Sequence, residues 1–226
     1  RASESSSPVH DLPLFFVLLS LTLLLGSCDK HIEFPDNTMK IGHVLCTDGK
    51  VLSYDFYKKS DKEAIAVVFS INTDKEIEGE GYAVYLRDLY PEQFADSLGV
   101  AQKTSADITA HDGNANTFSL YNSKDVESPM AIAVFDLWRY GQSAYIPSVA
   151  QMRLLYSSKE YINPIIEKLG GSPIVDEPDD CWYWTSTEVK GQETAKSWLY
   201  SLGSGAMQET PKIQSHKIRP IVTINK

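Results

Sequence analysis

The stretch CWYWTSTE, residues 181–188, sets three consecutive aromatic side chains before a run of small hydroxyl residues and one acid. In a strand, alternate side chains face opposite sides of the sheet. Trp184 and Ser186 therefore share one face, while Tyr183 and Thr185 share the other. Because large aromatic side chains dominate core burial, we interpret Trp184 as a core residue rather than a ligand contact.

Further strands are predicted on both sides of this stretch. Before it, the Asp-Gly pair at 48–49 lies between two short apolar runs, which is typical of a hairpin. Apolar, β-rich runs follow at 64–72 and 81–89. After it, residues 197–202 and 216–224 predict two more strands with glycine and proline turns between them. We expect these last strands to form an antiparallel set.

The middle of the chain predicts helices. A short helix is expected around residues 91–98, followed by a polar loop up to residue 128. The mostly apolar run 130–140 fits a helix or a strand, and its length favours the helix.

Two further helices are predicted from their start signals. A capping box at Ser148 opens a helix through Tyr156, and Ser157 repeats the signal for a second helix. Pro164 lies inside the second pattern, so that helix is expected to be kinked or to start late. Gly170-Gly171 is its predicted end. Strands, then helices, then strands indicate an α+β fold.

The segments around residues 181–188 resemble the Lcl C-terminal domain family in order and spacing, over roughly residues 40–225. Members of that family carry the series YLPS, LL, IN, GG, YWSSTE, AW and VRPV. The matching segments in this chain are Tyr145–Ser148, Leu154-Leu155, Ile162-Asn163, Gly170-Gly171, Tyr183–Glu188, Ser197-Trp198 and Ile218–Ile221. The resemblance implies a C-type-lectin-like fold, with antiparallel strands, two or three helices and long loops, common on surface lipoproteins of gut anaerobes.

The resemblance also implies which side chains form the structural core: Trp184, Ser186, Glu188, Trp198 and Arg219. Arg219, near the C-terminus, is expected to tie its strand to a carboxylate such as Glu188 rather than to meet a ligand.

In lectin-like folds, the ligand surface is built from the loops and strand faces between the core strands, which here means residues 189–215. Side chains of this segment that we expect to be exposed form the predicted ligand-binding surface: Lys190, Gln192, Glu193, Lys196, Tyr200, Met207, Gln208, Lys212 and Gln214. The alternative is a solvated loop without a ligand.

A cluster of acids just before the aromatic strand is a weak calcium candidate. Glu177-Pro178-Asp179 is similar to the triplet by which calcium-dependent lectins hold Ca²⁺ and sugar, and Asp180 adds further oxygens. The Trp-Asn-Asp partner triplet of those lectins is missing. A solvated acidic turn is therefore the favoured interpretation, and we expect no metal and no cofactor.

Other chemistry has little support in the sequence. The 226 residues carry a formal net charge of −9, so the chain lacks the basic excess of a nucleic-acid binder. His43, His111 and His216 fall within the predicted domain, and none belongs to an HExxH motif. His111-Asp112 could mimic a catalytic dyad, but no nucleophile elbow accompanies it. We therefore predict that the chain is not an enzyme.

The N-terminal part predicts export and lipid anchoring. The apolar run 14–25 is 12 residues long, whereas a bilayer-spanning helix needs about 20. It has the length of a signal-peptide core and ends in LGSC, which looks like a bacterial lipobox. We predict a lipoprotein signal peptide at 1–27, lipid on Cys28, a tether over 28–39 and one domain over 40–226. The alternatives are a buried core helix or an uncleaved anchor.

Together these features predict a non-catalytic cell-surface binding module, an adhesin- or receptor-like lipoprotein that recognises an unknown glycan or protein. It would lie in the bacterial envelope, held at the outer membrane or cell surface by its lipid. The main alternative is a structural component of an envelope or fimbrial assembly. Export would permit a disulfide between Cys46 and Cys181, and the sequence leaves that bond open.

Overall fold

The computed structural model describes residues 38–137 and 143–225. These belong to one compact unit, Thr38–Lys226. The predicted signal peptide 1–27 and the lipid-attachment residue Cys28 lie outside the described residues, as does most of the predicted tether. In the part that is described, no helix combines the length and the apolarity that crossing a bilayer requires.

The first sheet contains the predicted hairpin and the two strands that follow it. Its five strands are β1 Val44–Cys46, β2 Val51–Leu52, β3 Ala64–Ile71, β4 Gly81–Tyr85 and β10 Ile221–Ile224. They run in the order β10-β4-β3-β1-β2, and all neighbours are antiparallel. Gly49 adopts φ 80° in the hairpin turn, a conformation that glycine reaches without a steric penalty.

The second sheet is built around the aromatic stretch of residues 181–188. Its strands are β5 Leu89–Gln93, β6 Trp182–Glu188, β7 Lys196–Ser201, β8 Met207–Pro211 and β9 Ser215–Ile218. They run in the order β5-β9-β6-β7-β8, and neighbouring strands are antiparallel except β6 and β9, which pair in parallel at Tyr183 and Lys217. Two mostly antiparallel sheets with few helices confirm the predicted α+β fold class.

Four helices lie in the described ranges: α1 Tyr54–Tyr57, α2 Gly113–Tyr121, α3 Pro129–Asp136 and α4 Val149–Lys168. Helix α3 agrees with the helix predicted at 130–140, whose last residues lie outside the described ranges. Helix α4 begins at the predicted capping box, in which the Ser148 Oγ accepts from the Gln151 N–H and the Gln151 side chain accepts from the Ser148 N–H.

The prediction of two separate helices after Ser148 is wrong, because α4 is a single helix of 20 residues. Ser157 does not cap a second helix; its Oγ donates instead to the Arg153 carbonyl one turn earlier, at 2.9 Å. Pro164 removes one backbone donor inside the helix without ending it. The predicted stop is confirmed, since Gly170 adopts φ 71° directly after the last turn.

Two predictions for residues 91–128 are also wrong. In the segment predicted as a short helix around 91–98, residues 91–93 instead complete strand β5, which pairs with β9, and residues 94–98 have no regular secondary structure. The stretch predicted as a loop contains α2. Helix α2 is held by buried polar contacts, so its sequence shows no apolar periodicity. The Thr117 Oγ1 donates to Gly113 O and accepts from Ile146 N.

The predicted strand at 216–224 is divided at Arg219-Pro220 into β9 and β10, which lie in different sheets. Pro220 has no N–H to donate to a ladder, so the chain leaves one sheet there and enters the other. This crossing ties the C-terminal segment to both sheets.

Strand β6 lies between two hydrophobic cores. Trp184 packs in a cluster with Phe94 and Ile218, and Tyr183 packs in the other with Val84 and Leu202. The Trp184 side chain has no exposed surface, and its Nε1 donates to the Glu92 carbonyl at 2.9 Å. The core role predicted for Trp184 is confirmed, as is the opposite orientation of Tyr183 and Trp184, while the register of β6 against β7 shifts between Trp184 and Glu188.

The two cysteines of the domain are free and buried. Burial, more than the nearby Asp48 carboxylate, raises the pKa of the Cys46 thiol. Because the thiolate is the reactive form, a raised pKa makes Cys46 an inert structural residue. Because both thiols are free, the disulfide between Cys46 and Cys181 that the sequence left open is absent from this structure.

Arg219 has the predicted core role but a different carboxylate partner. Its Nη1 donates to Asp88 at 2.8 Å, its Nε to Tyr85 O at 3.0 Å and its Nη2 to Ser172 O at 2.8 Å. The expected pairing with Glu188 is wrong. The register sets Tyr183 beside Lys217, so Glu188 lies about three residues, or roughly 10 Å, beyond the point opposite Arg219.

Removal of the Arg219 guanidinium should destabilise the fold strongly. Arg219→Ala removes the donor from Asp88 Oδ1 and from two carbonyls, although Asp88 Oδ2 keeps Tyr183 and Lys217. Loss of these hydrogen bonds from a charged group should lower the free energy of unfolding by roughly 3–5 kcal/mol. Urea denaturation followed by tryptophan fluorescence measures this. Lys58→Ala removes an exposed ion pair with Asp55 and serves as the control, with no change expected. Equal stability of the two variants would contradict the proposed role of Arg219.

Candidate functional site

The predicted ligand surface at 189–215 is only partly a surface. Lys190, Gln208 and Gln214 are exposed, and four further side chains are partly exposed: Gln192, Glu193, Lys196 and Met207. Tyr200 and Lys212 are buried, so their prediction as exposed ligand contacts is wrong.

Tyr200 is buried because α4 covers its face of β7. Its ring meets Tyr156 of α4 edge to face at 6.4 Å, and it belongs to the same core cluster as Tyr183. Trp198, on the same face of β7, is partly exposed and packs at the margin of this cluster. Trp198 therefore has the predicted structural role at the edge of the core rather than at its centre.

Lys212 is buried because it is the counter-ion of Glu188. Both side chains lie within the protein, with at most 1% of either exposed, and the Lys212 Nζ donates to Glu188 Oε1. The ammonium also lies 5.0 Å from the centre of the Phe94 ring. Burial lowers the pKa of Lys212, and the Glu188 carboxylate opposes that shift.

The Glu188 carboxylate also binds the backbone of residues 102–104. Oε1 accepts from Gln102 N at 2.8 Å, and Oε2 accepts from Thr104 N at 3.2 Å and Thr104 Oγ1 at 3.0 Å. A buried carboxylate is costly unless it is paired and hydrogen-bonded, and here both oxygens have partners. The predicted core role of Glu188 is confirmed, with partners that the sequence did not identify.

This carboxylate fixes the conformation of Lys103. Because the N–H groups on both sides of Lys103 point to one carboxylate, the backbone turns there and Lys103 adopts φ 61°. Among the described residues other than glycine, it alone has a positive φ. Such a conformation costs about 1–3 kcal/mol and persists only where the surrounding contacts impose it.

Three of the remaining polar residues of the predicted surface have partners within residues 189–215. Lys196 and Gln192 both donate to the Glu209 carboxylate, at 3.1 and 2.9 Å, and Glu193 accepts from the Gly191 N–H at 2.8 Å. The sequence prediction missed Glu209, although its position opposite Trp198 in the β7–β8 pair follows from the strand alternation.

The acidic turn does not assemble into a shared cation site. Glu177, Asp179 and Asp180 are exposed, and Asp180 pairs with Lys217 at 2.8 Å. The neighbouring Asp176 pairs with Lys159. Over residues 38–137 and 143–225, no group of three or more His, Cys, Asp or Glu side chains is arranged to hold a metal ion.

Several cavities lie outside the segment that the sequence indicated, and two of them bring together polar side chains that bear on function. One, of about 550 Å³, is lined by Tyr82, His111, Asp112 and acids of the 74–78 loop. Burial lowers the pKa of His111 and raises that of Asp112, and the His111 ring lies 6.1 Å from the Tyr82 ring. The other, of about 420 Å³, is lined by residues 100–103 and by α2 and the residues after it.

The fold is similar to that of a fimbrial protein from Bacteroides ovatus, known from a crystal structure. The two chains share a TM-score of 0.64 and 16% sequence identity, over 82% of this chain and 49% of that one. This chain therefore spans about half the length of the fimbrial protein. No family model matches the sequence, and no curated protein matches it significantly. At this identity the similarity shows the fold alone.

Loss of the Glu188 charge should destabilise the domain strongly, although the substitution hardly changes the size of the side chain. Glu188→Gln keeps the side-chain size but leaves the Lys212 ammonium buried without a counter-ion, at a cost of roughly 3–5 kcal/mol in the free energy of unfolding. Chemical denaturation measures this cost.

The double variant Glu188→Gln/Lys212→Met removes both charges and should recover part of the lost stability, because no unpaired ion remains. Glu209→Gln is the matched control, since it neutralises an exposed glutamate of the same sheet and should leave stability unchanged. If Glu188→Gln were as stable as Glu209→Gln, the buried pair would not organise this region.

Proposed function

We propose that the chain is a non-enzymatic component of a bacterial fimbria or a related surface assembly. The observation that carries this proposal is the fold similarity over 82% of the chain to a protein described as fimbrial. The sequence prediction had this function as its alternative to a binding module.

The side chains that are chemically most unusual also support a structural role. Glu188, Lys212 and Arg219 are buried ions, and each is engaged by backbone groups or by another buried ion. Such contacts make a rigid domain, which suits a protein that must keep its shape within an assembly. A binding module remains the second candidate, and the cavity beside Lys103 is the feature that favours it.

The proposal includes a lipid anchor at Cys28 and a C-type-lectin-like fold for the domain. The LGSC sequence supports the anchor, and the YWTSTE and IRPI segments support the lectin-like relationship. Two or more acyl chains would hold the domain firmly at a membrane surface.

Assembly should be visible in the bacterium that produces the protein. We expect the chain to co-purify with filaments sheared from the cells and to be labelled along or at the end of them by immunogold electron microscopy. Cells lacking the gene, complemented with the intact chain, provide the control. Recovery of the protein only from filament-free fractions, with filaments unchanged in the deletion strain, would contradict the proposal.

Lipid attachment has a separate test. Cells fed an alkyne-tagged fatty acid should incorporate the tag into the protein, and Cys28→Ser should abolish the label because only a cysteine thiol forms the thioether. Cys46→Ser is the control that should keep the label, since that thiol is buried in the domain. Equal labelling of Cys28→Ser and the unmodified protein would exclude this anchor.

A further inference from the structure

The cavity between residues 100–103 and the end of α2 has the size and lining of a small-ligand site. Its volume of about 420 Å³ lies in the range of known ligand pockets. The residues that line it combine apolar, hydroxyl, amide and cationic groups, with one carboxylate: Val100, Ala101, Gln102, Lys103, Phe118, Ser119, Asn122, Ser123, Lys124 and Asp125.

One wall of this cavity carries a polar group without a partner. Gln102 is 2% exposed, and its Nε2 makes no hydrogen bond, while its Oε1 faces the Lys212 ammonium at 3.5 Å. Lys212 fixes the orientation of the amide, because turning it over would set two donors against each other. A buried amide donor for which the protein itself supplies no acceptor therefore lies beside the cavity.

Two lysines add positive charge to the same cavity. Lys103 is exposed and is held in its left-handed conformation by the Glu188 carboxylate, which binds the N–H groups of both its neighbours. Lys124 is exposed on the opposite side, after α2. Backbone strain imposed from the core is typical of positions that present a side chain to a ligand.

The cavity also offers an apolar surface and neutral polar groups. Phe118 of α2 is 60% exposed and lines the cavity. Ser119, Asn122 and Ser123 lie next to it. An aromatic face packs against the C–H side of a sugar ring, while hydroxyl and amide groups bind sugar hydroxyls.

We propose that this cavity binds a carboxylate-bearing saccharide, such as a uronic acid residue. The lysines would bind the carboxylate, the Phe118 ring would stack on the sugar, and the serine and asparagine groups would bind its hydroxyls. The site differs from the surface predicted from the sequence, and it goes beyond the proposed role in an assembly, because either can hold without the other.

Isothermal titration of the protein with tetragalacturonate and with neutral maltotetraose, at low ionic strength, tests the proposal. Tetragalacturonate should bind saturably and at least about tenfold more tightly than maltotetraose, because a hydrogen bond to a charged group contributes that much. Equal binding of the two saccharides, or no saturable binding of tetragalacturonate, would overturn it.

Lys103→Gly is the decisive variant. It removes the cation at a position where glycine fits the backbone better than lysine, so the fold should be at least as stable while the affinity falls about tenfold. Lys124→Gln should weaken binding similarly, and Lys190→Gln, an exposed lysine outside the cavity, should leave it unchanged. Undiminished binding by Lys103→Gly would overturn the site.

A peptide of four glutamates tests the ligand class. With its N-terminus acetylated and its C-terminus amidated, it carries the same number of carboxylates without a sugar ring, so it should bind at least about tenfold more weakly than tetragalacturonate if the Phe118 ring and its polar neighbours recognise the saccharide. Equal affinity of the two, lost equally in Lys103→Gly, would show a general anion pocket and would overturn the saccharide assignment.

Discussion

The buried carboxylate of Glu188 is the constraint around which this domain is organised. An ion in the protein interior requires a partner of opposite charge and a hydrogen bond for each remaining lone pair. The domain meets this requirement by bringing together three distant segments: the end of β6, Lys212 after β8, and the backbone of residues 102–104. The conformation of Lys103, and with it the shape of the neighbouring cavity, follows from that arrangement.

Arg219 performs a related task at the junction of the two sheets. Its guanidinium binds the carboxylate of Asp88, the end of β4 and the segment that follows α4, at the point where the chain passes from one sheet to the other. Glu188 and Arg219 thus each join segments that are distant in the sequence. A domain held in this way can transmit a load or present a surface without rearranging, which suits the proposed place in a surface assembly.

Local patterns predicted the parts of the fold that depend on local physics. The Asp48-Gly49 hairpin, the capping box at Ser148 and the core position of Trp184 each follow from turn geometry, capping or strand alternation. The same patterns failed where contacts between residues distant in the sequence determine the structure. Lys212 was expected at the surface because lysine is mostly exposed, and only the tertiary partner Glu188 explains its burial.

The candidate site could not be predicted from the sequence for the same reason. Nothing local marks Lys103, since its left-handed conformation is imposed by a carboxylate more than eighty positions away in the chain. Helix α2, which forms the other wall, is held by the buried hydroxyl of Thr117 rather than by an apolar stripe. The resemblance to a lectin-like family instead indicated residues 189–215, where Gln192, Glu193 and Lys196 have partners within the segment.

Native-state hydrogen exchange at the amides of Gln102 and Thr104 tests the central claim most directly. These amides lie in a segment without regular secondary structure, and both donate to Glu188. If the buried carboxylate organises the domain, they should exchange as slowly as the amides of β6, through global unfolding. Exchange at the rate of the exposed 74–78 loop would show that the segment opens independently, and would contradict the account.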